Sequence, residues 1–340
     1  MGHDKLRKFA ENEGFACLLQ PSSKELLQDG YFALRDHEIK GCWNEWMFEE
    51  TQPIVLELGC GKGEYTIDLS RRIPSRNYIG VDIKGARLWK GAKYAHENEL
   101  DNVAFLRTRI EFITAFFAPS EISQIWLTFS DPQMKSENSR LTSPLFLERY
   151  RKFLRPGGLI HLKTDSMFLH QYTKAVAQKN DLRILACTED LYSTPADKLF
   201  SGTSQNSSSD SVSQPSQSPD FAVSASPASR PAGNPASPAH HSAQPSFPAG
   251  SPASPVSHSS DSPLSSGQAS FPAGSQQLSQ DEINSLYEVQ TFYEKMFLEQ
   301  GCKITYLCFT LDHDGPFEYP DFDAAYWRSV EGPRRSFDHK

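Results

Sequence analysis

Patterns of metal-binding or disulfide-bonded cysteines are missing from this chain of 340 residues. None of its six cysteines forms a Cys-x-x-Cys pair or stands near a histidine at the spacing of metal ligands. The cysteine pattern therefore predicts reduced thiols, a cytoplasmic location and no metal site.

Long hydrophobic runs are also missing. No segment approaches the roughly 20 apolar residues that a membrane-spanning helix needs, and residues 1–13 are polar and charged, unlike a secretion signal. The sequence thus predicts a soluble protein with no membrane partner. No segment indicates an obligate protein partner, and both a monomer and a homodimer stay open.

Positive charge is scarce, since 34 Lys and Arg stand against 42 Asp and Glu, a net charge of −8. Local patches matter more than the sum when a polyanion is bound. Basic residues collect in two regions, namely Lys5, Arg7 and Lys8, and then Lys135, Arg140, Arg149, Arg151, Lys152 and Arg155. Each cluster fits either a phosphate-binding patch or a solvated helix face.

Residues 201–280 form a Ser/Pro/Ala-rich stretch that is poor in charge and in aromatic side chains. Such a composition buries too little apolar surface to offset the entropy of ordering the backbone, so it predicts disorder. The stretch interrupts the pattern of folded elements before the last helix and strand. We therefore expect an N-terminal basic extension and helical lead-in over 1–50 and a core over 51–200. A disordered insert over 201–280, completion of the core over 281–311, and an acidic and mixed tail over 312–340 should follow.

Short apolar runs alternate with longer amphipathic stretches, which is typical of an α/β fold with a mostly parallel sheet. Seven strands are predicted, at residues 54–58, 77–82, 103–107, 124–129, 158–164, 182–188 and 304–310. Helices are predicted at residues 64–72, 85–98, 144–153, 167–179 and 284–300. The pattern fits a doubly wound sheet that is completed by late antiparallel strands.

The first predicted strand runs into a glycine-rich turn that opens a helix. Glu57 precedes Gly59, Gly61 and Gly63, and this Gly-x-Gly-x-Gly spacing lacks the last glycine of the dinucleotide fingerprint. The carboxylate of Glu57 suits a ligand with an ammonium and a sulfonium better than a pyrophosphate. Asp82 ends the next strand, where a carboxylate can accept hydrogen bonds from both ribose hydroxyls of a nucleoside.

Two further aspartates end neighbouring strands. Asp131 lies in Ser130-Asp131-Pro132 and Asp165 in Lys163-Thr164-Asp165. Ligands of open α/β sheets bind at the carboxyl ends of the strands, so both carboxylates are expected in the cleft. An Asx turn before the proline is the structural alternative for Asp131.

Taken in order, these motifs and Thr291-Phe292-Tyr293-Glu294 resemble the bacterial tRNA (guanine-N7)-methyltransferase family over about residues 6–311, the insert excepted. The resemblance implies a Rossmann-like class I methyltransferase that uses S-adenosylmethionine to methylate N7 of a tRNA guanine, position 46 of the variable loop in this family. It implies that residues 51–200 are the methyltransferase core and that Asp131 is the catalytic residue. The implied cofactor-binding residues are Glu57, Gly59, Gly61, Gly63, Asp82, Arg109, Ile110 and Asp131. The implied substrate-binding residues are Lys135, Asp165, Thr291 and Glu294.

The chain departs from the family pattern at two places. Fewer basic residues follow Pro132 than in most members, which leaves phosphate binding to Lys5, Arg7, Lys8, Arg140 and the helix end at residues 149–155. Thr108 stands where many members have an aspartate beside the adenine. Two alternatives remain: a methyltransferase for another RNA, DNA or amine substrate, and a non-catalytic subunit that binds cofactor and tRNA. The glycine spacing disfavours a nicotinamide oxidoreductase.

Overall fold

The computed structural model describes residues 2–27, 30, 33–200 and 278–332. Its centre is one sheet of eight strands in the order β1-β4-β3-β2-β5-β6-β8-β7. Strands β1 to β6 pair in parallel, and β8 inserts antiparallel between β6 and β7. The strands are β1 (Leu18–Leu19), β2 (Ile54–Leu58), β3 (Asn77–Asp82), β4 (Val103–Arg107), β5 (Ile122–Thr128), β6 (Leu154–Thr164), β7 (Ile184–Thr188) and β8 (Thr305–Thr310).

Most of the helices connect successive strands, while the first precedes β1 and the last follows β8. The helices are α1 (Gly2–Asn12), α2 (Ser23–Leu26), α3 (Trp43–Trp46), α4 (Glu64–Arg72), α5 (Gly85–Glu97), α6 (Pro144–Tyr150), α7 (Met167–Lys179), α8 (Ala196–Leu199), α9 (Gln280–Glu288), α10 (Phe292–Glu299) and α11 (Ala324–Glu331). Short 3₁₀ helices lie at Ile110–Ala115, Glu137–Ser139 and Leu191–Ser193. None of the helices in the described ranges is long and apolar enough to cross a membrane.

Both faces of the sheet are buried, as a parallel sheet requires. Leu56 and Leu58 of β2 pack with the apolar sides of α6 and α7 on one face. Val55 of the same strand packs on the opposite face with residues of α4 and α9, and Phe105 of β4 packs there with α4 and α5. The prediction of a Rossmann-like sheet with helices on both faces is confirmed.

The strand count was wrong by one. The eighth strand, β1, has two residues, too few to show an alternating pattern in the sequence. The predicted boundaries of β2, β3, β4, α4 and α7 agree with the structure. Late antiparallel pairing is also confirmed, since β8 pairs antiparallel with β6 and β7.

The single helix predicted at residues 284–300 is two helices, α9 and α10, separated at residues 289–291. Ser279 caps α9 through a capping box, and the Thr291 hydroxyl accepts a hydrogen bond from the Glu294 amide to cap α10. The cap at Thr291 begins a new helix there, although the apolar residues repeat with helical spacing across the break and so predicted one helix.

Residues 312–340 were predicted to be an acidic and mixed tail with no helix assigned to it, and the structure forms α11 within this segment. Asp323 caps that helix by accepting hydrogen bonds from the Ala325 and Tyr326 amides, so one of the acidic residues begins a helix. Two residues that the prediction placed at the end of the insert belong to a helix instead, since Ser279 caps α9 and Gln280 is its first residue. The prediction of disorder at residues 201–277 lies outside the described residues.

Gly91 lets α5 approach the glycine-rich turn closely. A Cβ built there would lie 2.6 Å from the Phe105 ring and 2.8 Å from the Lys62 carbonyl oxygen. A helical glycine elsewhere costs about 1 kcal/mol relative to alanine, so alanine would normally stabilise α5. Here the backbone contact prevents that gain.

We expect Gly91→Ala to lower the free energy of unfolding by about 1–3 kcal/mol, the usual cost of overpacking. Urea unfolding followed by circular dichroism measures this change. The control is the pair Gly91→Ala with Phe105→Leu, which removes the ring atoms and should lose less than the sum of the single variants. A higher urea midpoint for Gly91→Ala would contradict the packing argument.

Candidate active site

The glycine-rich turn between β2 and α4 forms one wall of the site. Gly59, Gly61 and Gly63 have positive φ angles of 80°, 60° and 72°, a region that favours glycine. A Cβ at Gly59 or Gly61 would meet nothing within 4 Å, whereas one at Gly63 would clash with the Phe105 ring. The first two glycines therefore leave open space beside the backbone, and the third is required by packing.

Asp82, at the end of β3, fastens this turn. Its Oδ2 accepts a hydrogen bond from the Gly61 amide at 3.0 Å, and its Oδ1 accepts one from the Lys84 amide at 2.7 Å. A carboxylate has about four acceptor positions, so two of them stay available for other donors such as ribose hydroxyls. Asp82 thus lies where the sequence predicted it, but it also holds the loop.

Glu57 is buried inside the fold. Its Oε2 accepts hydrogen bonds from the amide, at 2.9 Å, and the hydroxyl of Thr66, and its Oε1 accepts one from the Thr128 hydroxyl at 2.5 Å. Burial raises the pKa of this carboxyl group, and the threonine donors act in the opposite direction. The residue ties β2, α4 and β5 together. Sequence reasoning missed both threonines, because isolated threonines in a helix and a strand carry no motif.

Arg109 and Ile110 follow β4, the strand that pairs with β3, and the last residue of β4 is in register with Asp82 at the end of β3. The Arg109 side chain is half-exposed and pairs with Glu111 at 3.3 Å. Ile110 begins a 3₁₀ helix, and its side chain packs partly against the core. The neighbouring Thr108 is buried.

Asp131 lies on an irregular loop that leaves β5. The side chain is exposed, and its Oδ1 accepts a hydrogen bond from the Gln133 amide at 2.9 Å, which makes the Asx turn that the sequence allowed. Phe129 and Gln133 flank it with φ angles of 50° and 46°. Non-glycine residues in this region cost on the order of 1 kcal/mol each and cluster at functional sites. Lys135, farther along the loop, is exposed.

Asp165 follows the last residue of β6, the strand next to β5, at the same edge of the sheet. Thr128 of β5 is in register with Lys163 of β6, and the Phe129 amide donates to the Lys163 carbonyl at 2.9 Å. The two acidic residues therefore follow neighbouring strand ends. Asp165 is partly buried, and Ser166 beside it caps α7.

Glu294, predicted to bind substrate, is fully buried against Lys163. Its Oε1 lies 2.8 Å from the Lys163 Nζ and accepts a hydrogen bond from the Tyr192 hydroxyl at 2.7 Å. Neither side chain of the ion pair has exposed surface. The other oxygen, Oε2, has no hydrogen-bond partner among the described residues. Thr291 serves as the cap of α10.

Lys163 does more than neutralise Glu294. Its Nζ donates hydrogen bonds to the carbonyl oxygens of Leu286, at 2.7 Å, and Val289, at 3.1 Å. These carbonyls belong to the end of α9, where backbone acceptors lack helical partners. Burial lowers the pKa of Lys163, while the Glu294 carboxylate acts in the opposite direction.

The predicted phosphate-binding residues differ in their accessibility. Arg140 is buried, with its guanidinium 4.8 Å from the centroid of the Phe168 ring and 4.3 Å from that of Tyr172. Arg7 pairs with Asp4 and Glu11 on α1. Arg140 thus packs inside the fold in this structure and does not present a free cation at the surface.

We expect Lys163→Met to lower the free energy of unfolding by about 3–5 kcal/mol, because it leaves the Glu294 carboxylate buried without a counterion. Adding Glu294→Gln removes that uncompensated charge, so the double variant should be more stable than Lys163→Met alone. Thermal unfolding of the three variants and the wild type tests the pair. A loss in the double variant equal to the sum of the two single losses would mean that the two residues are not coupled.

Comparison with known proteins adds to this geometry. A family model described as "Putative methyltransferase" matches residues 51–214. A tRNA (guanine-N(7)-)-methyltransferase of Christiangramia forsetii is 51% identical over 191 residues, which cover 56% of this chain and 83% of that protein. One from Bacteroides thetaiotaomicron is 51% identical over 56% of this chain and 74% of its own length. One from Cytophaga hutchinsonii is 40% identical over 57% and 85% of the two chains.

These relatives are similar over most of their own length. The matched segment of the chain includes the glycine-rich turn and the Asp82, Asp131 and Asp165 strand ends. The chain belongs to the tRNA (guanine-N(7)-)-methyltransferase family.

Proposed function

We propose that the protein transfers the methyl group of S-adenosylmethionine to N7 of a guanine in tRNA, giving 7-methylguanosine. The observation that carries the proposal is that two aspartates, Asp131 and Asp165, follow neighbouring strand ends on the sheet edge that also holds the glycine-rich turn. Membership of the family supports both the donor and the target atom.

The glycine-rich turn fits the methyl donor. Open space beside Gly59 and Gly61 allows a ligand to approach the backbone closely, and the acceptor positions of Asp82 not used by Gly61 and Lys84 suit the two ribose hydroxyls. We assign the adenine side of the pocket to Arg109 and Ile110 after β4. Glu57 supports the turn from inside the fold, through its hydrogen bonds to Thr66 and Thr128.

When bound, S-adenosylmethionine supplies an electrophilic methyl group on a sulfonium. Guanine N7 carries a lone pair and no proton, so one N–C bond forms as one S–C bond breaks and no base is required. The positive charge passes from sulfur to the purine. The protein therefore acts mainly by alignment, which contributes about 7–11 kcal/mol in well-oriented reactions, and the chemistry calls for no metal.

Asp131 and Asp165 have separate roles in this proposal. Asp165 accepts hydrogen bonds from guanine N1 and N2, donors that adenine lacks, and a site built for such donors strongly rejects a base without them. Asp131, exposed at the adjacent strand end, attracts the charge that develops on the methylated purine. Its strained loop keeps the carboxylate at the cleft.

Lys135, Thr291 and Glu294 complete the proposed substrate site. Lys135 follows Asp131 on an exposed loop and suits a phosphate. Thr291 fixes the start of α10. Glu294 has no exposed surface, so we assign it a supporting role at the substrate site through its ion pair with Lys163. Guanine in folded tRNA must leave its tertiary contacts to enter the cleft. In this family the target is position 46 of the variable loop, which we propose for this chain as well.

The first test is to incubate the protein with labelled S-adenosylmethionine and a tRNA transcript, and then to identify the methylated nucleoside. We expect 7-methylguanosine from a transcript with G46 and none from the same transcript with A46. A different methylated nucleoside would favour the alternative of another amine or RNA substrate. Binding of both ligands without any product would favour a non-catalytic subunit.

Variants at the strand ends test the division of roles. Asp165→Ala should abolish methylation and change the dissociation constant of S-adenosylmethionine less than twofold, because its partner is the base. Asp82→Ala should weaken cofactor binding by about tenfold or more, the equivalent of 1.4 kcal/mol. Asp101→Ala is the matched control, since this exposed aspartate lies before β4 at the opposite end of the strands. Equal losses of cofactor affinity at Asp82 and Asp165 would contradict the assignment.

A further inference from the structure

The segment after β8 lies against α6 and α7. The Phe317 amide donates to the Glu148 carboxylate of α6 at 2.8 Å, and the Glu318 amide donates to the Asn180 side-chain oxygen at 2.7 Å. The Phe322 ring packs edge-on against Phe168 and Tyr172 of α7. Several independent contacts therefore fix the position at which α11 begins.

Helix α11 has no buried side chain, and polar contacts hold both of its ends. Asp323 caps its first turn. Arg328 Nη1 donates to the Met134 carbonyl oxygen at 3.2 Å. In the last turn, Glu331 Oε1 accepts a hydrogen bond from the Ser166 hydroxyl at 2.6 Å, and Oε2 accepts one from the Phe168 amide at 2.7 Å.

These contacts reach the two elements that carry the acidic residues of the site. Met134 lies on the loop of Asp131, and Ser166 follows Asp165 directly. Ser166 is itself buried and accepts a hydrogen bond from the Leu169 amide at 3.1 Å, which caps α7. Glu331 thus supplies a second acceptor at the same helix N-terminus, where a negative charge is favourable.

We propose that Glu331 is a positioning residue that fixes the orientation of Asp165 through Ser166 and the first turn of α7. Arg328 restrains the Asp131 loop from the same helix. The inference rests on the proposed function and extends it, because it makes α11 part of the catalytic apparatus although no atom of α11 needs to touch the substrate. Small displacements of a group that orients the reacting base lower the rate more than they lower binding.

The experiment compares Glu331→Ala, Glu331→Gln and Asp312→Ala in the full chain. With a tRNA transcript, Glu331→Ala should lower kcat by about tenfold or more and change the dissociation constant of S-adenosylmethionine less than twofold. Glu331→Gln should recover most of the loss, since its oxygen accepts from the Phe168 amide and its amide donates to the Ser166 oxygen. Asp312→Ala removes one anchor of the same segment, the bond from the Gly157 amide, and should leave kcat unchanged.

Amide hydrogen exchange gives a readout that needs no tRNA. The Phe168 amide should exchange about tenfold faster or more in Glu331→Ala than in the wild type, because it loses its acceptor. Unchanged exchange would overturn the contact, and faster exchange with unchanged kcat would overturn the positioning role. Absence of methylation by the wild type would instead contradict the proposed function, while the exchange result would still decide whether Glu331 orders α7.

Discussion

A lysine and a glutamate without exposed side-chain surface lie between the sheet and the two helices that precede its last strand. Removing both charges from water costs several kcal/mol per ion, so the arrangement persists only where further hydrogen bonds compensate. Lys163 obtains them from the end of α9, and Glu294 obtains one from Tyr192. The positions of α9 and α10, and with them the entry of β8 between β6 and β7, depend on this pair.

The acidic residues of the site serve the fold as well as the ligands. Asp82 holds the Gly61 amide, and Glu57 holds Thr66 and Thr128. A carboxylate that is fixed by the protein's own donors cannot rotate away when a ligand arrives, so it is oriented in advance. Removing such a side chain therefore affects local structure and ligand binding together, which is why the assignment of roles depends on separate measurements of affinity and stability.

The sequence predicted what depends on local pattern. Strand β3 and the Asp82 at its end followed from a short apolar run and a terminal acidic residue, and the bounds agree with the structure. The expectation that Asp131 and Asp165 follow neighbouring strand ends came from the rule that parallel strands end at one edge, and the register of β5 with β6 agrees with it. Pairings between distant residues were not predictable. Lys163 and Glu294 are 131 positions apart, and nothing in the sequence around either residue indicates that Lys163 Nζ lies 2.8 Å from Glu294 Oε1.

The break between α9 and α10 and the helix α11 show the same limit. Lys163 donates hydrogen bonds to two carbonyl oxygens where α9 ends, and Thr291 then caps α10. These contacts between distant residues outweigh the helical periodicity of the sequence. The composition of the segment after β8 predicted a tail and no helix, but Asp323 caps α11 and Glu331 accepts a hydrogen bond at the first turn of α7. Charged residues are informative about structure only once their partners are known.

The contacts that hold α9 and α10 attach this part of the chain to the sheet without relying on the covalent connection. Glu282 pairs with Arg76 at 2.8 Å and accepts a hydrogen bond from Gln124 at 2.7 Å, and the Tyr287 hydroxyl donates to the Thr194 carbonyl. Together with Lys163, these bonds attach residues 278–311 to the sheet independently of the peptide that links them to residue 200. A chain cleaved within the serine-rich stretch would accordingly keep its two fragments together as one noncovalent complex, with β8 still in the centre of its antiparallel pair.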